Sequence, residues 1–144
     1  MARFLKDADY DLQTRTEILN LLDNSDDKGK TLWAEKVAIS QMKKRLTKRY
    51  DTTVLFTPAP DTGDDTRDPF IVMTVIDIAL YHLWTAQAAG KMPKFRADRY
   101  QDALDWLKEE GSGEGGNGDL PEKVAADYSS DFRFMSRPPN NQKW

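Results

Sequence analysis

The chain contains no cysteine and a single histidine, His82. Without cysteine no disulfide, thiolate metal site or cysteine nucleophile can be built, although the absence fixes no compartment. One imidazole excludes a zinc site made of several histidines within one chain, and any Ser-His-Asp triad would have to use His82 itself. Long apolar runs are also missing. The longest, Phe70 to Trp84, is broken by Thr74, Asp77 and His82. As a helix it spans about 22 Å, short of the ~30 Å of a bilayer's hydrocarbon. The opening residues Met1-Ala-Arg-Phe-Leu-Lys-Asp7 hold no apolar core of the kind a secretion signal carries. No sign of charge dominates, since the net charge is -3 and the pI about 5.2, so global charge does not point to nucleic acid. There is no GxGxxG, no GxxxxGK[ST] and no internal repeat. What is present is one domain's worth of chain, 144 residues with 39% hydrophobic side chains, and a soluble protein of the cytoplasm is expected.

Residues 7–22 read as two short helical pieces. Asp7 or Asp9 can cap the first, and Thr14 with Glu17 has capping-box spacing before Ile18 and Leu19. Residues 23–30 read as a loop. Residues 31–50 form the clearest amphipathic helix, with Trp33, Val37, Met42, Leu46 and Tyr50 on one face and Ala34 and Ala38 beside them. Its other face is basic: Lys43, Lys44, Arg45, Lys48 and Arg49. Residues 51–69 read as a long connection, opened by a brief extended run Val54-Leu55-Phe56 and closed by an acidic stretch with Asp61, Asp64, Asp65 and Asp68. Residues 70–89 are apolar nearly all round and belong at the centre, started by Asp68-Pro69 and ended by Gly90. Residues 94–110 form a last helix with Phe95, Tyr100, Ala103, Leu104 and Leu107 on one face. Five of the eight glycines then fall within residues 111–118, which reads as a flexible linker. Residues 119–144 have no helical period and hold the aromatics Tyr128, Phe132, Phe134 and Trp144. Pro138-Pro139 excludes helix there, and Phe132-Arg133-Phe134 alternates as a strand does.

Three constellations invite chemistry, and each has a plainer reading. His82 and Asp77 are five residues apart on one helix, a poor spacing for a dyad, and a satisfied polar group near the core is the stronger reading. Asp23, Ser25, Asp27 and Gly29 suggest a calcium loop, but Lys28 stands where the EF-hand needs glycine and Ala34 where it needs glutamate. A polar turn ahead of a helix is favoured, and no metal or cofactor is expected. The run Lys43–Arg49 can touch phosphates or be a solvated face, and it lacks the interleaved aromatics of a single-strand platform. The aromatic tail stands apart. Anchors in a polar, extended segment suit docking on a partner, with Tyr128, Phe132, Arg133, Phe134, Arg137 and Trp144 as contacts. Folding back on its own domain is the alternative.

A set of segments carries a resemblance. They are Phe4-Leu-Lys-Asp-Ala-Asp-Tyr10, Arg15-Thr-Glu-Ile-Leu19, Ile39-Ser-Gln-Met-Lys-Lys-Arg-Leu46 and Arg49-Tyr50-Asp51. Further on come Asp77-Ile-Ala-Leu-Tyr-His-Leu83, Asp98-Arg-Tyr-Gln-Asp-Ala-Leu-Asp-Trp-Leu107 and Leu120-Pro121, then Asp131-Phe-Arg-Phe134 and Ser136-Arg-Pro138. In this order and spacing they resemble the head–tail connector (head-completion or adaptor) proteins of tailed bacteriophages, in particular the Mu-type branch of Bacteroidetes phages and prophages. The resemblance implies an all-α fold of about four helices and no catalytic residues. It implies a closed ring, typically a dodecamer, between the portal protein and the next neck or tail-completion protein. The place implied is the neck of the virion, assembled in the host cytoplasm.

The combined expectation is a small all-α bundle over residues 1–110, a linker over 111–118 and an extended docking tail over 119–144. Within it, Val54, Leu55, Phe56, Asp61, Asp64 and Asp65 form an assembly loop. The function expected is that of a structural ring subunit. The alternative is a small nucleic-acid-binding helical module using Lys43 to Arg49, a face that a ring can also present to packaged DNA.

Overall fold

A computed structural model describes residues 2–87, 91–116 and 118–124. The fold is all-α. In chain order the helices are α1 (Asp7–Asp11), α2 (Thr16–Leu22), α3 (Gly29–Leu46), α4 (Thr52–Leu55), α5 (Pro69–Gln87) and α6 (Lys94–Ser112). The three long helices α3, α5 and α6 pack on one another, and α2 lies against α5.

The two short pieces at the N-terminus form as expected, with different caps. In α1 the Asp9 carboxylate accepts the Lys6 backbone N–H at 2.7 Å. Thr14 does not cap α2. Its own N–H donates to the Tyr10 carbonyl at 2.8 Å, so it closes the end of α1 and is drawn inside. Asp23 then sets the start of α3. Its Oδ2 accepts the Thr31 N–H and Oγ1–H, each at 2.7 Å, and its Oδ1 accepts the Ser25 N–H at 3.1 Å and the Ser25 hydroxyl. Burial alone would push this carboxyl up, but the bonds from Ser25 and Thr31 outweigh it and hold it down at about 2.

The buried stripe of α3 runs Ala34, Ala38, Met42, Leu46 and on to Tyr50, one residue every four. Trp33 is 54% exposed, so it does not belong to the apolar face assigned to it. α5 starts where Asp68-Pro69 predicts: Asp68 Oδ1 accepts the N–H groups of Phe70 and Ile71 at 2.9 and 3.0 Å. By length and composition Pro69–Ala86 is apolar enough to cross a membrane. Here Ile71, Val75, Ile76, Ile78, Ala79, Leu80 and Leu83 are buried among its neighbours, so it is the core helix of the bundle. Gly90 lies outside the described residues.

Two further expectations are corrected. Val54-Leu55-Phe56 is not extended. The Asp51 carboxylate accepts the Thr53 N–H at 3.0 Å and its hydroxyl at 2.6 Å, which turns the chain into α4. Leu55 and Phe56 enter the core, and the Phe56 ring meets the Phe4 ring edge-on at 5.4 Å. On α6 the expected apolar face carries Phe95, which is 57% exposed, while Arg96 is buried. The Arg96 guanidinium reaches the Gln13 carbonyl at 2.5 Å and Asp77 at 3.5 Å, and Phe95 remains outside over its carbon.

The glycine-rich stretch, mostly exposed over its described residues, is tied down at Gly111 and Gly115. α6 continues through Gly111, where a Cβ would stand 3.1 Å from the Arg45 carbonyl oxygen, and ends at Gly113 in the left-handed region (φ 82°). Arg49 Nη1 donates to the Gly115 carbonyl at 2.9 Å. Beyond it the chain returns to the end of α3. Tyr50 and Glu122 form an antiparallel bridge, Asp51 N–H donates to Pro121 O at 2.9 Å, and Lys123 N–H donates to Arg49 O at 3.0 Å. Leu120 packs against the core. Contacts with the helical body therefore run past residue 110, as far as Lys123.

Candidate assembly surfaces

The basic run divides by burial. Lys43, Lys44, Arg45 and Lys48 are exposed. Arg49 turns inward to Glu110 at 3.6 Å and Glu122 at 3.7 Å, with its guanidinium over the Tyr50 ring, so it fastens the C-terminal return. Lys43 Nζ stands 5.7 Å from the centre of the Phe56 ring. Trp33, Lys36, Val37, Ser40, Gln41 and Lys44 line a shallow concavity of about 500 Å³ on the outer side of α3. Reading the chain by its charge run alone misses Trp33 and Lys36. The spacing from Trp33 to Val37, Ser40 and Lys44 was the available signal, because it lies opposite Ala34, Ala38 and Met42.

Asp77 and His82 have separate partners. Asp77 is held by Arg99, whose Nε and Nη2 each donate at 2.8 Å, and by Arg96. His82 Nε2 lies 3.2 Å from Gln41 Oε1, and burial lowers its pKa from the ordinary value. Its ring sits edge-on to Trp33 and to the stacked pair Tyr81–Tyr100, whose ring centres are 3.7 Å apart. The imidazole is thus a satisfied group at the margin of the core. Asp23 spends its oxygens on Ser25 and Thr31, and among the described residues no group of three or more histidines and carboxylates is arranged for a metal ion.

Beyond Leu55 and Phe56 the middle segment is fastened by Ala59, whose N–H donates to the Arg3 carbonyl at 2.8 Å, and by Arg67. Arg67, with 4% of its side chain exposed, donates to Asp9 at 2.7 Å, to Asp65 at 2.8 Å and to the Phe4 carbonyl at 2.5 Å. The Arg67 hydrogen bond holds the Asp65 carboxyl down at about 2. The proposed assembly loop therefore splits. Leu55, Phe56 and Asp65 serve the fold, while Val54, Asp61 and Asp64 remain exposed.

α6 presents a second charged surface, which the sequence reading did not single out. Asp98, Asp102, Asp105 and Glu109 are all exposed along it. The tail residues Tyr128, Phe132, Arg133, Phe134, Arg137 and Trp144 lie outside the described residues. Comparison with protein-family models, with characterised proteins and with solved structures finds no match to this chain.

Proposed function

We propose that this chain is a structural subunit of a phage head–tail connector ring, joining a portal protein to the next neck or tail component. One observation supports an assembling role above the others. Seven large apolar side chains are exposed among the described residues: Leu12, Leu21, Trp33, Val54, Phe70, Phe95 and Val124. They lie on or beside every helix, scattered over several sides of the molecule, and neighbours on several sides would cover them. The buried ionic groups meanwhile fasten segments of the chain: Arg67 to Asp9, Arg99 to Asp77, Arg3 to Glu35. A subunit held between two neighbours and two adjoining rings uses its surface in this way. The identity of the assembly rests on the resemblance of the segments from Phe4 to Pro138, and Phe132 and Phe134 are its proposed docking contacts, on the portal or on a neighbouring subunit.

The test is negative-stain imaging and mass photometry of the purified protein, alone and with a portal protein encoded beside it. Rings, formed alone or on added portal, are expected, and Phe132→Ala with Phe134→Ala should abolish portal binding or ring formation. A chain that stays monomeric with portal present refutes the connector reading.

A further inference from the structure

The outer face of α3 is unpartnered and has one sign of charge. Within Gly29–Leu46 the only acid, Glu35, is buried, while Lys30, Lys36, Lys43, Lys44 and Arg45 are exposed, and Lys48 extends the series. None of these cations forms an ion pair with a described residue, whereas Arg3, Arg49, Arg67, Arg96 and Arg99 all do. Trp33 sits in the same face, beside the concavity that reaches Lys44.

The same molecule carries a matching surface. On α6, Asp98, Asp102, Asp105 and Glu109 follow one another at i, i+4, i+7 and i+11 and are all exposed. On α3, Trp33, Val37, Ser40 and Lys44 have the same spacing. Each row therefore spans about 16 Å of helix, enough for two helices to lie along each other. Lys94 and Lys108 are also exposed on α6, which leaves its outer face acidic by two charges, four acids against two lysines. Because α3, α5 and α6 each pack on the other two, the outer faces of α3 and α6 point away from the bundle in different directions. One copy can then meet a neighbour with each face at once. This is the head-to-tail contact from which closed rings are built.

We infer that the α3 face from Trp33 to Lys48 receives the acidic α6 face of a second copy of this chain. Lys36, Lys44 and Lys48 meet Asp98, Asp105 and Glu109, and Trp33 supplies an apolar contact at the N-terminal end of the row. This rests on the ring reading and names its subunit contact. Duplex DNA is the other polyanion such a face can take, but it leaves the α6 row without a role, whereas a second copy uses both.

Two charge-reversed proteins test the pairing. One carries Lys36→Glu, Lys44→Glu and Lys48→Glu; the other carries Asp98→Lys, Asp105→Lys and Glu109→Lys. All six residues are exposed, and circular dichroism checks that each protein folds. Sedimentation velocity at low salt should show the unaltered protein self-associating, with association weakening as salt rises. Each variant alone brings like charges together and should associate at least about 100-fold more weakly. An equimolar mixture restores opposite charges at every contact and should assemble again. Variants that associate as well as the parent overturn the inference and leave the ring reading standing. A parent protein that is monomeric at low salt also overturns it, and the portal assay then decides the ring reading separately. A mixture that fails to reassemble, with duplex DNA binding lost only in the lysine-reversed protein, overturns it in favour of nucleic acid.

Discussion

Replacing Asp23 by Asn removes one charge and keeps the shape of the side chain, so it isolates what that carboxylate contributes to the start of α3. Asp23 is fully buried and accepts four hydrogen bonds, two of them from the backbone N–H groups of Ser25 and Thr31. A helix cap of this kind contributes about 1 kcal/mol, and bonds to a buried ionised acceptor about 1.5–3 kcal/mol. Its carboxyl is lowered from 3.8 to about 2, which corresponds to roughly 2 kcal/mol of preference for the charged form in the folded state. The two routes agree on about 2 kcal/mol, or about 8 °C of melting temperature for a domain of this size. The sign follows from the direction of the shift. A carboxyl whose folded pKa lies below its unfolded value stabilises above pH ~4, and that contribution is lost as pH falls towards ~2. Urea unfolding followed by circular dichroism at several pH values checks it. At pH 7 the Asn variant should be the less stable by about 2 kcal/mol, and the gap should close as pH approaches 2. A gap that stays constant over that range, or no gap at pH 7, refutes the reasoning.

The boundary of the folded body is testable by truncation. A protein ending at Val124 should melt as the full chain does, whereas one ending at Glu110 loses Leu120 and the bridge to Tyr50 and should melt at least about 8 °C lower, at about 4 °C per kcal/mol lost. Within the middle segment Phe56→Ala should cost about 3 kcal/mol, as large-to-small core changes do, while Val54→Ala at an exposed site should stay within about 0.5 kcal/mol in the same urea titration.

The helices most legible in the sequence are those whose signals are local. Asp68-Pro69 fixes the start of α5 with its own side chain, and an all-round apolar run has nowhere to go but the centre. The apolar period of α3 locates the helix, but the five-residue step from Val37 to Met42 blurs which side is buried, and Trp33 lies on the outer one. Arg67 and Arg96 were unreadable for a different reason. An arginine is buried only when carboxylates or carbonyls from distant segments meet it, and Asp9, Asp77 and Gln13 are not near either in sequence. The glycines from 111 to 118 have the composition of a linker, yet Gly111 is small because Arg45 of another helix passes close. The acidic row of α6 was overlooked because its members are separated in sequence by residues of every kind and align only once the helix forms.

Tyr10 lies near the N-terminal end of the described chain and Tyr50 just after α3, bridged to the C-terminal return, and each gives its hydroxyl to a buried glutamate. Tyr10 bonds Glu35 of α3 at 2.9 Å beside Arg3, and Tyr50 bonds Glu110 of α6 at 2.5 Å beside Arg49. Burial and the nearby carboxylate raise both phenols, Tyr50 to about 12, so neither ionises near neutrality. To fray at the N-terminus the chain must pull Arg3 out of the first of these triples, while the C-terminal return is held beside the second through Arg49 and Glu122. Amide protons of residues near Arg3 should therefore exchange with solvent more slowly than those of an unanchored chain end.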